Sequence, residues 1–154
     1  MQPQDVFNRN FAATTAALDA WLATVSADAH VDREKTTDYW RASVRPNQAN
    51  TCPVELMLSR NQTFDLDVAN ESIVGRPIAD LGLFLPLMEA IAAGRLVHRS
   101  WRSSATDAGL TSEIIVSLAG GENWSMRRLI RAETAATENS AIARDRSFVP
   151  YRRI

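Results

Sequence analysis

Between Phe7 and Val25 the chain alternates on a helical period: Phe7, Phe11, Leu18, Leu22 and Val25 recur every three or four positions, with Thr14 in phase and Trp21 beside the stripe. That spacing predicts an amphipathic helix, with Asp5 and Asn8 among its polar starters. Ser26 to Asp38 is polar and charged with no sustained period, and reads as a connection. From Tyr39 the period drops to two. Trp40, Ala42 and Val44 alternate with Arg41, Ser43 and Arg45 until Pro46, which has no amide to donate and ends the strand. Val54, Leu56 and Leu58 alternate again, turn at Asn61-Gln62 and return as Phe64, Leu66 and Val68, which is a hairpin. A turn at Asn70-Glu71 starts a shorter strand from Ile73 to Ile78, marked by Gly75 and Pro77 as an edge or a bulge.

Residues 81 to 93 break the rhythm. Leu81-Gly82-Leu83-Phe84-Leu85-Pro86-Leu87-Met88-Glu89-Ala90-Ile91-Ala92-Ala93 has almost no polar face. A helix apolar all round must be covered on more than one side. Asp80 is its expected cap and Gly94 its stop in the left-handed conformation, while Pro86 either kinks it or opens a shorter helix. Three further strands follow, at Leu96 to Ser103, Leu110 to Leu118 and Asn123 to Ile130, joined by Thr106-Asp107-Ala108-Gly109 and Gly120-Gly121-Glu122. The order of helix, strands, helix and strands predicts an α+β domain over residues 1–131. Its core element is a mainly antiparallel sheet of six or seven strands, with both helices packed on it. Residues 132–154 look different, an Ala, Thr, Glu, Asn and Ser run that regains apolar character only at Phe148, Val149, Tyr151 and Ile154. They read as an arm that lacks order, packs back on its own domain or reaches a partner.

Composition narrows the function classes. With 154 residues and 45% hydrophobic content the chain can bury a core without staples. One cysteine, Cys52, excludes an internal disulfide, and the first residues lack the pattern of a secretory leader, so a reducing cytoplasm is the expected compartment. The longest apolar run is too short to span a bilayer. Net charge is −1, with the positive excess on residues 94–131, too faint a footprint to expect nucleic acid as a partner.

No motif names a reaction. With His30, His98 and Cys52 as the only soft ligands, zinc-type spacing is missing, and neither a metal nor a cofactor is expected. A polar sheet face carrying Arg41, Arg45, Glu55, Asp65, Asp67, His98, Arg102, Glu113 and Arg127 mixes both signs and reads as solvated cross-strand charge pairs. A catalytic residue set is therefore not assigned. Arg99 stands out because it alternates with Val97 and Trp101 and so points with the apolar set. A pocket between sheet and helix lined by Arg99, Trp101, Trp124 and Glu89 is the candidate ligand site.

The run Gly75-Arg76-Pro77-Ile78-Ala79-Asp80-Leu81, with a helix ending at Gly94 and three strands after it, resembles the second half of a PAS-type sensor domain over about half of the chain. That resemblance implies a small ligand held between sheet and helix, but too few residues separate Val68 from Asp80 for the short helices that wall such a cavity. The order of elements is also similar to that of the small dimeric secretion chaperones, which are more acidic. The expectation is a non-enzymatic binding or assembly protein that self-associates as a dimer or within a larger assembly. Leu81, Leu85, Met88, Phe148 and Tyr151 would form the interface, because a bare apolar face is unusual on a monomer. A small-ligand sensor or carrier is the alternative, and a small enzyme of unknown reaction the third.

Overall fold

The helical stripe at the N-terminus becomes helix α1, Gln4–Val25, which buries Phe7, Phe11, Thr15, Leu18, Trp21, Leu22 and Val25. The computed structural model describes residues 2–104, 109–129 and 141–152. Five strands follow as an antiparallel meander: β1 Ala29–Lys35, β2 Tyr39–Pro46, β3 Val54–Ser59, β4 Thr63–Val68 and β5 Glu71–Pro77. Then come a 3-10 turn, Leu81–Leu83, and helix α2, Phe84–Ala92. The chain closes with β6 Leu96–Ser103, β7 Gly109–Ser117, β8 Asn123–Leu129 and β9 Ala141–Ser147, which form a second antiparallel sheet in the order β8-β7-β6-β9.

The α+β class is as expected, but the single sheet of six or seven strands is not: the strands divide into sheets of five and four. The first sheet ends at β5 for local reasons. Its pairing with β4 shifts register between Phe64 and Leu66, Gly75 adopts φ +64° and Pro77 removes a donor. The chain then leaves through α2 and builds the second sheet from its own hairpins. Two strands escaped the periodicity. β1 is an edge strand whose residues from Asp32 to Lys35 are exposed, so it shows no apolar alternation. β9 is exposed from Ile142 to Ser147 and is recruited as an edge beside β6.

Cross-strand rows set the inner face of the first sheet. Ala42, Leu56, Leu66 and Ile73 form one row, and Trp40, Leu58 and Phe64 another. Asp19 on α1 ties the helix to this sheet, accepting the Trp40 indole N–H at 2.9 Å and both ends of the Arg33 guanidinium at 2.8 and 2.7 Å. Leu96, Ile114, Val116 and Met126 of the second sheet join the same core.

Helix α2 lies within that core. Phe84, Leu87, Met88, Ala90 and Ile91 are buried, Phe84 meeting Phe64 edge-on with ring centroids 5.0 Å apart. Each large side chain so buried contributes about 2 kcal/mol from water exclusion. Asp80 caps the preceding turn by accepting the Gly82 amide at 2.8 Å, and Pro86 falls in the first turn of α2, where its missing N–H costs no helical bond. The cover expected from a partner is supplied within the chain. Leu81 and Met88 are 5% and 0% exposed, Phe148 and Tyr151 are 7% and 2%, and Leu85 is half-buried. Residues 141–152 are thus no detached arm: β9 pairs with β6, and the strap after it donates the Tyr151 amide to Ala92 O and the Tyr151 hydroxyl to Cys52 O, at 2.9 and 2.6 Å.

Gly94 makes that strap possible. It stops α2 with φ +74°, and a Cβ there would sit 2.8 Å from Phe148 O and Val149 C, both backbone atoms that cannot yield. Gly94→Ala therefore combines left-handed strain with a backbone clash and is expected to cost at least about 2 kcal/mol in urea unfolding. Gly120, which has open space around its Cβ position, is the control. Its alanine variant should stay within about 0.5 kcal/mol of the parent.

Candidate functional site

The tight turn between β4 and β5 decides where the one buried carboxylate among the described residues goes. Ala69 and Asn70 both take left-handed conformations, φ +51° and +65°, the pattern of a two-residue hairpin whose twist matches its strands. This sets Glu71 opposite Val68, on the inner face of the first sheet, with its side chain only 5% exposed. Three elements of the second sheet meet it. The Ser112 hydroxyl donates to Glu71 Oε1 at 2.6 Å, and His98 Nε2 lies 3.2 Å from the same oxygen. Arg128 approaches with Nε 2.8 Å from Oε2 and with Nη2 donating to Oε1 at 3.4 Å, although the Nε–H is not aimed along the shorter contact. Glu71 thus pins β5 to β6, β7 and β8, joining two sheets that share no ladder.

This set is not a nucleophilic triad. The serine hydroxyl donates to the carboxylate directly and not to His98, and both Ser112 and Glu71 are buried away from any substrate. The arrangement can neutralise and orient, and it holds the Arg128 guanidinium, 58% exposed, at the surface.

Beside Glu71 a cleft of about 680 Å³ opens at the end of the first sheet, where Arg45, Thr51, Asn70, Arg146 and Phe148 line it with the turn. Its charges divide unequally. Of the cleft's acids, Glu55 is paired with Arg41 and Glu71 with Arg128, while Asp67 accepts the Ser72 hydroxyl and keeps its charge. Among the described residues Arg45 makes no ion pair, and Arg146 rests 4.8 Å over the Phe148 ring. Two guanidinium groups against one carboxylate without a cationic partner leave the uncommitted charge net positive.

The ligand site expected from the sequence is not assembled. Arg99 forms a forked pair with Asp145, at 2.7 and 3.0 Å, on the outward face of the second sheet, and that hydrogen bond holds the Asp145 carboxyl below its ordinary value. Trp101 lies beside it, between Arg99 at 6.0 Å and Arg127 at 5.1 Å. Trp124 packs on the core, and Glu89 is exposed on α2. The space between the first sheet and the helices is filled, with Trp40, Leu56, Leu66, Phe11, Leu18 and Leu87 all fully buried. On the polar face of the first sheet Asp65 accepts the Gly75 amide at 2.7 Å and Glu34 and Glu55 flank Arg41, while Arg45, Glu55 and Asp67 line the cleft. His98 was expected there and is not: it sits directly across from Ile114, on the core side. Glu113 and Arg127 belong to the second sheet's outer face. Among the described residues no group of histidine, cysteine and carboxylates is placed to hold a metal ion.

Sequence reasoning passed over Glu71, Ser112 and Arg128. Their phase carried the signal, since Glu71 alternates with Ile73, Ser112 with Ile114 and Arg128 with Met126. The chain matches no family model, no curated protein and no solved structure.

Two predictions follow from these groups. Glu71→Leu strands the Ser112 hydroxyl, which is 3% exposed, and should cost about 3 kcal/mol in urea unfolding. Adding Ser112→Ala removes the stranded hydroxyl, so the double variant should lose less than the sum of the singles. Burial pushes the Cys52 thiol up to about 11 from an ordinary value of 9.0, and raises the Tyr151 hydroxyl as well. Both groups are neutral when protonated, and the folded state holds the proton longer. The stability they contribute is intact below about pH 9 and is lost as pH climbs through the folded thiol value. Melting temperature should therefore fall above about pH 9, and a thiol reagent at about pH 8 should label Cys52 only as fast as the protein opens.

Proposed function

We propose that this chain is a non-enzymatic binding protein that engages an anionic group of its ligand or partner in the cleft between Arg45 and Arg146. The observation that carries this reading is the charge balance of the cleft, in which Glu55 and Glu71 are paired with arginines while, among the described residues, the guanidinium groups of Arg45 and Arg146 make no ion pair and outnumber the remaining carboxylate, Asp67. Guanidinium groups suit carboxylate and phosphate oxygens because their planar donors match two oxygens at once. Thr51, Asn70 and Ser43 add neutral polar groups around them.

Support for enzymatic chemistry is weaker. Ser112 is buried against Glu71, and the Cys52 thiol is buried with its proton held tightly. Self-association through α2 also loses its argument, because the helix finds its cover inside one chain. A cytoplasmic setting accords with a lone buried thiol. No helix among the described residues is long and apolar enough to cross a membrane.

The test is a titration of the isotope-labelled protein with inorganic phosphate and with citrate, followed by amide NMR. Shifts should gather at residues 45, 51, 70 and 146, and Arg45→Gln with Arg146→Gln should weaken binding about tenfold or more while leaving the melting temperature within a few degrees. Shifts scattered over every surface arginine, unaltered in the double variant, would remove this reading.

A further inference from the structure

We propose that the edge of β8, unpaired among the described residues, is a docking site for an acidic segment of a partner protein, bound in extended conformation as an added strand. The inference concerns a different place from the Arg45–Arg146 cleft and stands whether or not that cleft takes an anion.

A groove of about 410 Å³ runs between β5 and β8, the edge strands of the two sheets, with Ile73, Val74, Arg76, Met126, Arg127 and Arg128 along it. It has the features that strand addition needs. Direction comes from the ladder: the Ser117 amide donates to Arg95 O on the β6 side, so Val116, Ile114 and Ser112 bond β8 through Trp124, Met126 and Arg128. The alternate residues, Ser125 and Arg127, therefore turn their N–H and C=O groups outward into the groove. An extended chain can satisfy these groups without disturbing any existing bond.

Apolar side chains supply contact. Val74 is 79% exposed, the most exposed large hydrophobic among the described residues, and stands at this groove.

Charge selects the occupant. Arg76 and Arg127 line the groove with no ion pair among the described residues, Arg128 beside them is paired with Glu71, and no carboxylate belongs to the lining, which favours a segment carrying Asp or Glu. The same charge disfavours a second copy of the chain, since β8 against β8 would bring Arg127 and Arg128 towards their own counterparts. The other edges are blunted in ways that β8 is not. β1 carries Asp32, Arg33, Glu34 and Lys35, β5 has its register shift, Gly75 and Pro77, and β9 mixes signs at Arg144, Asp145 and Arg146. β8 pairs with β7 without a register shift over its whole length and contains neither proline nor glycine.

The probe is an acetylated, amidated nonapeptide of alternating glutamate and valine, titrated into the isotope-labelled full chain. Amide shifts and slowed hydrogen exchange are expected at Ser125 and Arg127, with binding weakened about tenfold by Arg127→Glu. Ser125→Pro should weaken it similarly, because it deletes an outward donor and no bond to β7. Each variant is checked by thermal melting, and Arg127→Glu carries the test if the proline variant unfolds. Equal binding of a lysine–valine peptide, shifts confined to residues 45 and 146, or full affinity in Arg127→Glu would overturn the proposal. So would a sedimenting dimer whose β8 amides are protected without peptide, which would make the occupant a second copy. Loss of phosphate binding at the cleft, by contrast, leaves this result untouched.

Discussion

Helix α2 has no side that water can occupy at low cost, and the architecture answers that constraint. Four different elements close around it: the inner face of the first sheet, helix α1, the strands of the second sheet, and the strap at residues 148–151. Because apolar surface must be covered all round, the second sheet cannot drift from the first, nor can the C-terminal residues hang free. Gly94 is where those demands meet. It ends the helix, reverses the chain into β6 and lies directly under the strap. Association was a reasonable expectation from the same apolar run, since sequence shows that cover is required and does not show who supplies it.

Glu71 is the polar counterpart of α2. A carboxylate at 4% exposure is costly unless it is met by cations and hydrogen-bond donors, and the residues that meet it all come from the other sheet. Apolar packing presses the two sheets together without fixing their offset, because dispersion contacts tolerate sliding by a fraction of a side chain. A hydroxyl at 2.6 Å tolerates much less. The ion and its donors thus give the seam a specific register, and the neighbouring cleft and groove inherit fixed walls from it.

Most elements were legible in the chain because their burial is one-sided. Alternation located β2 to β5 and β6 to β8, Pro77 closes β5 with Gly75 as the irregularity inside it, and Asp80 and Gly94 bound the helical segment between the sheets. β1 and β9 were not legible, because an edge strand exposed on both faces has no pattern to read and gains its structure from the neighbour it pairs with. The division into two sheets was hidden for a related reason. Strand number can be counted from turns, whereas the absence of pairing between β5 and β6 depends on how α2 redirects the chain. The site was mostly illegible. Glu71 was assigned to a turn because Asn70 precedes it, and only two consecutive left-handed residues, one of them an alanine, push it inward. Arg99 drew attention by its phase with Val97 and Trp101, but that phase marks the outer face of the second sheet, where Asp145 from an unforeseen strand completes the pair.

The proposed recognition of an anion rests on which side chains are already committed. Catalysis needs a reactive group held near its partner with its reactive lone pair or proton still available. Here the groups that could react are spent on structure: Ser112 and His98 on Glu71, and Cys52 on the core. Groups with unspent capacity are arginines at the two openings flanking Glu71, Arg45 and Arg146 on one side and Arg76 on the other, which share Ser72 as a wall. Guanidinium groups at rest in water are poor acids and poor nucleophiles, yet they bind oxyanions with defined geometry. The proposed binding of an anion uses these open cations, on a scaffold whose interior polar groups are already engaged with one another.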